Sequence, residues 1–327
     1  MTTIGIPVTR HTSSDVNSTL TFIERLEDMG VGAVWMTTGP GHVGPVINAD
    51  ALTVFAAAAV KTKRILMGTS IVPILPRHPI VVAQQVQVLE ELAPGRVRLG
   101  VGTGHRRTMS TALNYPFDAP LEHLREYIQI LKALFKNGKV DFDGRFYQAH
   151  VQYQGAPPSK APVMASALGP RSFYLCGQVA DGAISWLCPW QYLRDVALPK
   201  MQTGAAEAGR PTPALLAHVP VLVHDNADEA RATVREQIAT NPRAEEFANM
   251  FHAAGFPEVS EGKWSDGMID AVIAYGNEDS VLERFKLLVS IGASEIVASP
   301  IPVGKDKKAS MDRALKLIAH ASKALGH

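Results

Sequence analysis

The chain has 327 residues, with 32 Lys and Arg against 31 Asp and Glu, for a formal charge of +1. That balance argues against a general nucleic-acid binder, which needs a basic face, and against an acidic solvating chain. At 46% hydrophobic and 19% charged residues the chain can bury a sizeable core, and its length suits one large domain or two small ones.

Taken in chain order, short apolar runs alternate with longer amphipathic ones. Residues 3–8 read as a strand. Residues 14–29 read as a helix, capped by Ser13 or Ser14 and closed by Gly30. Strand 33–37, helix 49–61, strand 65–71, helix 79–92, strand 96–101 and helix 120–136 follow. Residues 140–153 read as a hairpin turning at Asp143-Gly144. Strand 162–166, helix 170–178, strand 183–187, helix 190–208, strand 215–223 and helix 226–239 come next. An irregular, partly helical stretch runs to about residue 275, before helix 278–291, strand 294–299 and helix 309–325. Repeated strand-then-helix order implies parallel strands with helical crossovers. Eight such units close most naturally into an α/β fold of the (β/α)8 TIM-barrel type, with an open doubly wound sheet as the alternative. The dinucleotide fingerprint of the open sheet is incomplete, because His105 stands where a third glycine should follow Gly100 and Gly102. No phosphate loop of the GxxxxGK[ST] type is present.

Cys176 and Cys188 cannot form a disulfide framework and carry no metal-site spacing, so both are expected as buried, reduced thiols. The N-terminus lacks an apolar stretch after a basic start, and no apolar run reaches about 18 residues. The expectation is a cytoplasmic protein that acts on a small-molecule substrate, with neither nucleic acid nor a membrane as partner.

In a barrel the site lies at the C-terminal ends of the strands. Those ends are poor in acids and rich in Gly, Thr and Ser, and they carry Arg77, Arg106, Arg107 and Arg171. Glycines that expose backbone N–H groups, with arginines nearby, suit an extended anionic ligand. Gly169-Pro170, just before a helix, is a seat for a phosphate. Singly, each glycine is equally an ordinary turn and each arginine an ordinary surface cation. His42, His78, His105 and His123 are dispersed, so no metal site is expected and a metal-dependent hydrolase is disfavoured. There is no strand-end lysine for a Schiff base and no Gly-x-Ser-x-Gly elbow. A chain so poor in nucleophiles and acids is what a cofactor enzyme looks like.

Several segments together resemble the bacterial luciferase-like flavin and deazaflavin oxidoreductases. They are Met67–Pro73 (MGTSIVP), Arg77-His-Pro, Leu92–Gly104 (LAPGRVRLGVGTG), Asp141–Tyr147 (DFDGRFY), Pro162–Pro170 (PVMASALGP) and Ala180–Trp186 (ADGAISW). The resemblance spans nearly the whole chain. It implies one luciferase-like barrel over residues 1–327, with insertions near 137–161 and 240–275, usually as a homodimer. It also implies the deazaflavin coenzyme F-420, or alternatively FMN, held over the strand ends. The family's non-proline cis peptide falls at Ser70-Ile71. Thr38, Thr103, Gly104, Gly169, Arg171 and Ser172 match cofactor-contacting positions, and Arg106 and Arg107 join them as cations for the tail. Where the sugar-phosphate dehydrogenases of the family carry a catalytic His after strand 2, this chain has Gly39. Where they carry an acid after strand 4 it has His105, and their substrate-phosphate lysine falls near Pro189. A phosphosugar is therefore not the expected substrate. His105 is the first choice for proton transfer, since an imidazole titrates near neutral pH. His42 would replace the missing His only after a loop shift. Trp186 and Trp190 are expected to line the substrate site, whereas Trp35 is expected in the core. Phe247, Met250, Phe251 and Phe256 are read as the apolar face of a lid. The leading expectation is an F-420-dependent hydride transfer to or from a small, fairly apolar substrate. The rivals are an FMN-dependent luciferase-like monooxygenase and a non-catalytic flavin-binding relative.

Overall fold

The computed structural model describes residues 2–8, 15–40, 47–154, 159–238, 242 and 244–326. Eight parallel strands form the wall of a barrel: β1 Thr3–Pro7, β2 Ala33–Met36, β3 Leu66–Thr69, β4 Val97–Gly102, β5 Val163–Ser166, β6 Gly182–Ile184, β7 Ala214–Val223 and β8 Ala293–Pro300. Each strand pairs with its sequence neighbours, and β8 closes the ring on β1 with Ile296 opposite Ile4. The (β/α)8 architecture is therefore the observed one. No helix among the described residues is long and apolar enough to cross a membrane.

Inward-facing side chains fill the barrel. Trp35 lies with Ala33, Met164, Ile184, Leu216 and Val297 in one apolar cluster, and its indole is fully buried. An indole fits here only because its neighbours have no side chain. A Cβ on Gly5 would lie 2.9 Å from Trp35 Cδ1, and a Cβ on Gly68 would run into the indole itself. Toward the N-terminal end of the strands the interior holds a partly buried ion pair, Arg98 Nε to Glu295 Oε1 at 3.5 Å. Burial pushes the Glu295 carboxyl up, and Arg98 opposes that shift.

Carboxylates satisfy loop amides around this core. Glu27 accepts from the N–H groups of Lys63, Arg64 and Ile65 just before β3. Glu126 accepts from those of Arg145, Phe146 and Tyr147. The second capture explains a departure from expectation. The hairpin pairs Lys139–Asp143 with Gln148–Gln152, but its turn is the four-residue loop 144–147 rather than a two-residue turn at Asp143-Gly144. Glu126 fixes that wider loop from the neighbouring helix, and Gly144 N bonds Tyr147 O at 2.8 Å.

Other boundaries differ for local reasons. The first helix is Val16–Met29, and its N-cap is Asp15, whose carboxylate accepts from Ser18 N at 2.9 Å. It is not Ser13 or Ser14, which lie outside the described residues. Gly30 closes the helix in the left-handed region at φ 89°, as expected. The helical stretch from Trp190 to Glu207 widens into a π turn at Leu193–Ala197. Pro199 just beyond cannot donate the N–H that a regular turn needs. Strand β3 stops at Thr69, short of residue 71, because a bulge follows.

Helix Glu245–Ala253 and its neighbours account for the irregular stretch. Phe247, Met250 and Phe251 are buried, with Phe251 edge-on to Trp264 at 5.3 Å and to Phe256 at 5.9 Å. The apolar face read as that of a lid is buried in the main hydrophobic cluster, where these rings also pack on one another.

The tight seat of Trp35 gives a direct expectation. Gly68→Ala places a methyl group where the indole lies, and overpacking of this kind costs about 2–3 kcal/mol. Urea unfolding should show a lower midpoint at unchanged slope. A midpoint equal to that of the unaltered chain would mean that the indole has room to move.

Candidate active site

Side chains alternate along a strand, so residues two places beyond the inner cluster face the open C-terminal mouth. They are Thr37 after β2, Gly102 on β4, Ser166 on β5, Trp186 after β6, His218 on β7 and Ser299 on β8. The β3 side is built differently. Beyond Thr69 the chain leaves the sheet through a cis Ser70–Ile71 peptide and rejoins β4 at Val72–Pro73. The resemblance located that cis bond correctly. Ser70 N donates to Met36 O at 2.8 Å, and Thr38 N donates to Ile71 O at 3.1 Å, so the bulge is held from β2. The Ile71 side chain packs on the barrel's inner cluster. A Cβ on Gly102 would lie 2.6 Å from its Cδ1. Ile71 over the bare backbone of Gly102 makes an apolar ledge on this side of the mouth.

Thr69 holds the gap closed. Its hydroxyl accepts from Gly100 N and donates to Gly100 O, each at 2.8 Å, and the residue is fully buried. It supplies the cross-strand pairing that the β3 backbone gives up as it turns into the bulge. Gly100 is required opposite it, because a Cβ there would run into Thr69 O.

Thr38 lies beside the ledge but is buried, and its Oγ1 accepts from Ala51 N at 3.0 Å. It anchors the next helix and keeps its O–H and one lone pair. Arg77 bonds Asp50, the N-cap of that same helix. After β4, Thr103 Oγ1 bonds Gly104 O at 3.2 Å. Gly104 is left-handed at φ 70°, and a Cβ there would lie 2.7 Å from Met109. His105 is half-buried. Burial holds its imidazole below the usual histidine range, and the carboxylate of Glu246 opposes part of that shift. Arg106 is exposed, lies 4.8 Å from the Phe117 ring centroid and donates to Phe117 O at 3.3 Å. Arg107 is exposed.

At the end of β5, Gly169 opens helix Pro170–Val179 with free space where a Cβ would stand. Ser172 Oγ accepts from Leu168 N at 3.1 Å and donates to Gly169 O at 2.7 Å, which fixes the turn. Arg171 is exposed at the same helix end. The donor set of an uncapped helix N-terminus with a cation beside it fits a phosphate or carboxylate.

The structure thus brings Ile71, Thr103, Gly104 and His105 to one side of the mouth. Of the four expected arginines it leaves Arg106, Arg107 and Arg171 exposed, Arg106 being bonded to Phe117 O. Trp186 borders the opening, with its ring centroid 4.2 Å from that of His218. Trp190 packs with Cys188, Leu193 and Ala217, under Arg194 at 5.0 Å. Cys188 and Cys176 are both buried, and burial pushes each thiol up to about 12, which leaves them inert at neutral pH. His42 lies outside the described residues. Among the described residues no three His, Cys, Asp or Glu side chains come together as metal ligands. Thr69, His218 and Ser299 are absent from the sequence expectation. For His218 the available signal was its place two residues past Leu216 in an alternating strand.

Comparison with known proteins agrees with this geometry. The model of the luciferase-like monooxygenase family matches residues 1–295. The 5,10-methylenetetrahydromethanopterin reductase of Archaeoglobus fulgidus is 26% identical over 312 residues, covering 89% of this chain and 91% of the relative. The F-420-dependent glucose-6-phosphate dehydrogenase of Beutenbergia cavernae is 32% identical over 272 residues, covering 80% and 79%. The solved structure of an F-420-dependent secondary alcohol dehydrogenase, in complex with an F-420–acetone adduct, superposes with a TM-score of 0.79 at 19% identity, covering 98% of each chain.

The role of Thr69 is testable. Thr69→Val keeps the shape but leaves the buried N–H and C=O of Gly100 unpaired, at a cost of about 2–4 kcal/mol. Thr69→Ser retains both bonds and should lose less than half as much. Equal loss in the two variants would show that packing of the methyl group, not the hydroxyl, closes the gap.

Proposed function

The chain belongs to the luciferase-like monooxygenase family, and within it we propose that it is a deazaflavin (F-420)-dependent oxidoreductase. It transfers a hydride between that cofactor and a small, largely apolar organic substrate. The observation that carries this reading is the pairing of an apolar ledge, Ile71 over Gly102, with anion-suited groups at the rim, Gly169, Arg171 and Arg107. A flat ring with a phosphorylated, carboxylate-bearing tail needs both. The F-420-dependent dehydrogenase at 32% identity points the same way. When bound, the cofactor supplies the hydride chemistry. The chain's own residues position the ring on the ledge, hold the tail at the rim and move the accompanying proton. His105 is the group assigned to the proton. Its depressed titration leaves it neutral at pH 7, which suits a base accepting a proton from an alcohol. Phosphosugar dehydrogenation is disfavoured, because Gly39 and His105 stand where that chemistry has its His and acid. The second reading, an FMN-dependent monooxygenase, is favoured by the family's own description. A cytoplasmic setting suits two free, buried thiols.

The functional unit is a homodimer in this reading. Val60 on helix Ala51–Lys61, and Val81, Val88 and Leu92 on helix Pro79–Leu92, are exposed on two adjacent helices. Such a grouping marks an association face.

Two measurements check these readings. Titrating the purified chain with F-420 and with FMN separately should give a dissociation constant about tenfold or more lower for F-420; tighter binding of FMN would favour the monooxygenase. Sedimentation should show a dimer that Val88→Asp converts to a monomer of unchanged circular dichroism. A dimer that survives this charge would place the interface elsewhere.

A further inference from the structure

His218 and Ser299 are left unexplained by cofactor binding. They stand on β7 and β8, and β7 lies across the barrel from β3 and its ledge, four strands away in an eight-stranded ring. His218 Nε2 and Ser299 Oγ are hydrogen-bonded to each other. Both residues are half-buried, as is Trp186, whose ring stands at 72° to the imidazole. Beneath them lies the dry layer of Ile184, Leu216 and Val297. Among the described residues, the mouth therefore has one apolar side and, opposite it, a polar pair framed by an indole.

We propose that this pair anchors the oxygen of a carbonyl or secondary-alcohol substrate, with Trp186 covering the adjoining carbon skeleton. The assignment rests on the oxidoreductase reading and deepens it by naming the substrate class. A ring lying on the ledge exposes its other face toward β7 and β8, so the reacting carbon is held between ring and pair. In the Nε2···Oγ bond, one partner donates. If the imidazole N–H donates to Ser299, the serine O–H turns outward as a donor. If the serine donates, its oxygen keeps lone pairs that accept from an alcohol. Either way the pair offers one polar atom to the mouth, which matches one substrate oxygen. A polar group built to meet an oxygen discriminates strongly against a substrate lacking it, because the pocket group is then left unpaired. Cys188 and Arg284 line a small cavity with His218. The Cys188 thiol stays protonated at neutral pH because burial raises its pKa. Arg284 donates to the Asp270 carbonyl. Neither competes for the substrate oxygen.

The test uses the full chain and cyclohexanol as probe, with Trp186→Phe as the control that assigns the emission change to Trp186. Cyclohexanol should change Trp186 emission saturably, whereas cyclohexane carrying a methyl thioether should not. Ser299→Ala and His218→Phe should each raise the cyclohexanol dissociation constant about three- to tenfold, as loss of one neutral hydrogen bond does. They should leave F-420 affinity within about threefold of the unaltered chain. Where turnover of cyclohexanol with F-420 is measurable, Ser299→Ala should raise KM by a similar factor with kcat little changed. A structural role alone would lower stability and would not discriminate alcohol from thioether. Equal binding of the alcohol by the unaltered chain and both variants overturns the proposal, as does retained F-420 binding with no response to cyclohexanol. A cyclohexanol response without F-420 binding would instead refute the cofactor reading and leave the oxygen site standing.

Discussion

The mouth of this barrel depends on how the space below it is filled. Trp35 occupies the interior only because Gly5 and Gly68 give up their side chains to it. A large, rigid indole in the middle lets small residues stand around the rim, since little volume remains to be filled there. Gly100 and Gly102 on β4 follow from the same economy: β4 comes close to the β3 bulge, and bare backbone is all that fits. The ledge at Ile71 is thus set from beneath by close packing rather than by any special chemistry at the surface.

Closure at the bulge is the second dependency. A strand that leaves its sheet abandons hydrogen bonds that cannot stay unpaired in a buried wall. Here one hydroxyl, that of Thr69, replaces them by both donating to and accepting from Gly100. The bulge is therefore tied to β4 through a side chain and to β2 through Ser70 N and the Ile71 carbonyl. The ledge is bonded on both flanks.

Elements with strong periodicity were legible in the sequence. The eight barrel strands and the crossover helices occur in the order that the alternation of apolar runs gives, although β6 ends at Ile184 rather than at 187, and family resemblance placed the Ser70–Ile71 bond. What escaped was set by contacts distant in sequence. The hairpin loop is widened by Glu126, 19 residues or more away. The first helix is capped by Asp15 rather than by a serine, because at the N-cap position several short polar residues serve and neighbouring positions compete. The residues of helix Glu245–Ala253 have an apolar face that sequence alone cannot aim, and it is aimed at Trp264. In the site, residue type misled most where a side chain already had a partner. Arg77 reads as a free cation but is bonded to Asp50, and Thr38, read as a cofactor contact, also holds Ala51. His218 escaped for the opposite reason, since a lone histidine in an apolar strand looks like core until strand parity is followed past Leu216.

Parity also explains why the site can be so poor in charge. A hydride carrier brings its own reactivity, so the wall must supply shape, one place for an oxygen and a route for one proton. The β3–β4 side supplies shape through Ile71 and Gly102, and its loop carries His105. The β7–β8 side supplies the only imidazole–hydroxyl pair among the described mouth residues. Arg106, Arg107 and Arg171 are exposed, on the loop after β4 and the helix after β5. A cation on the floor would have to be desolvated under the ring, at a cost that an apolar ledge avoids. The near-neutral total of +1 is then the expected sum for such a molecule: its few functional charges are local, and the reacting centre itself carries none.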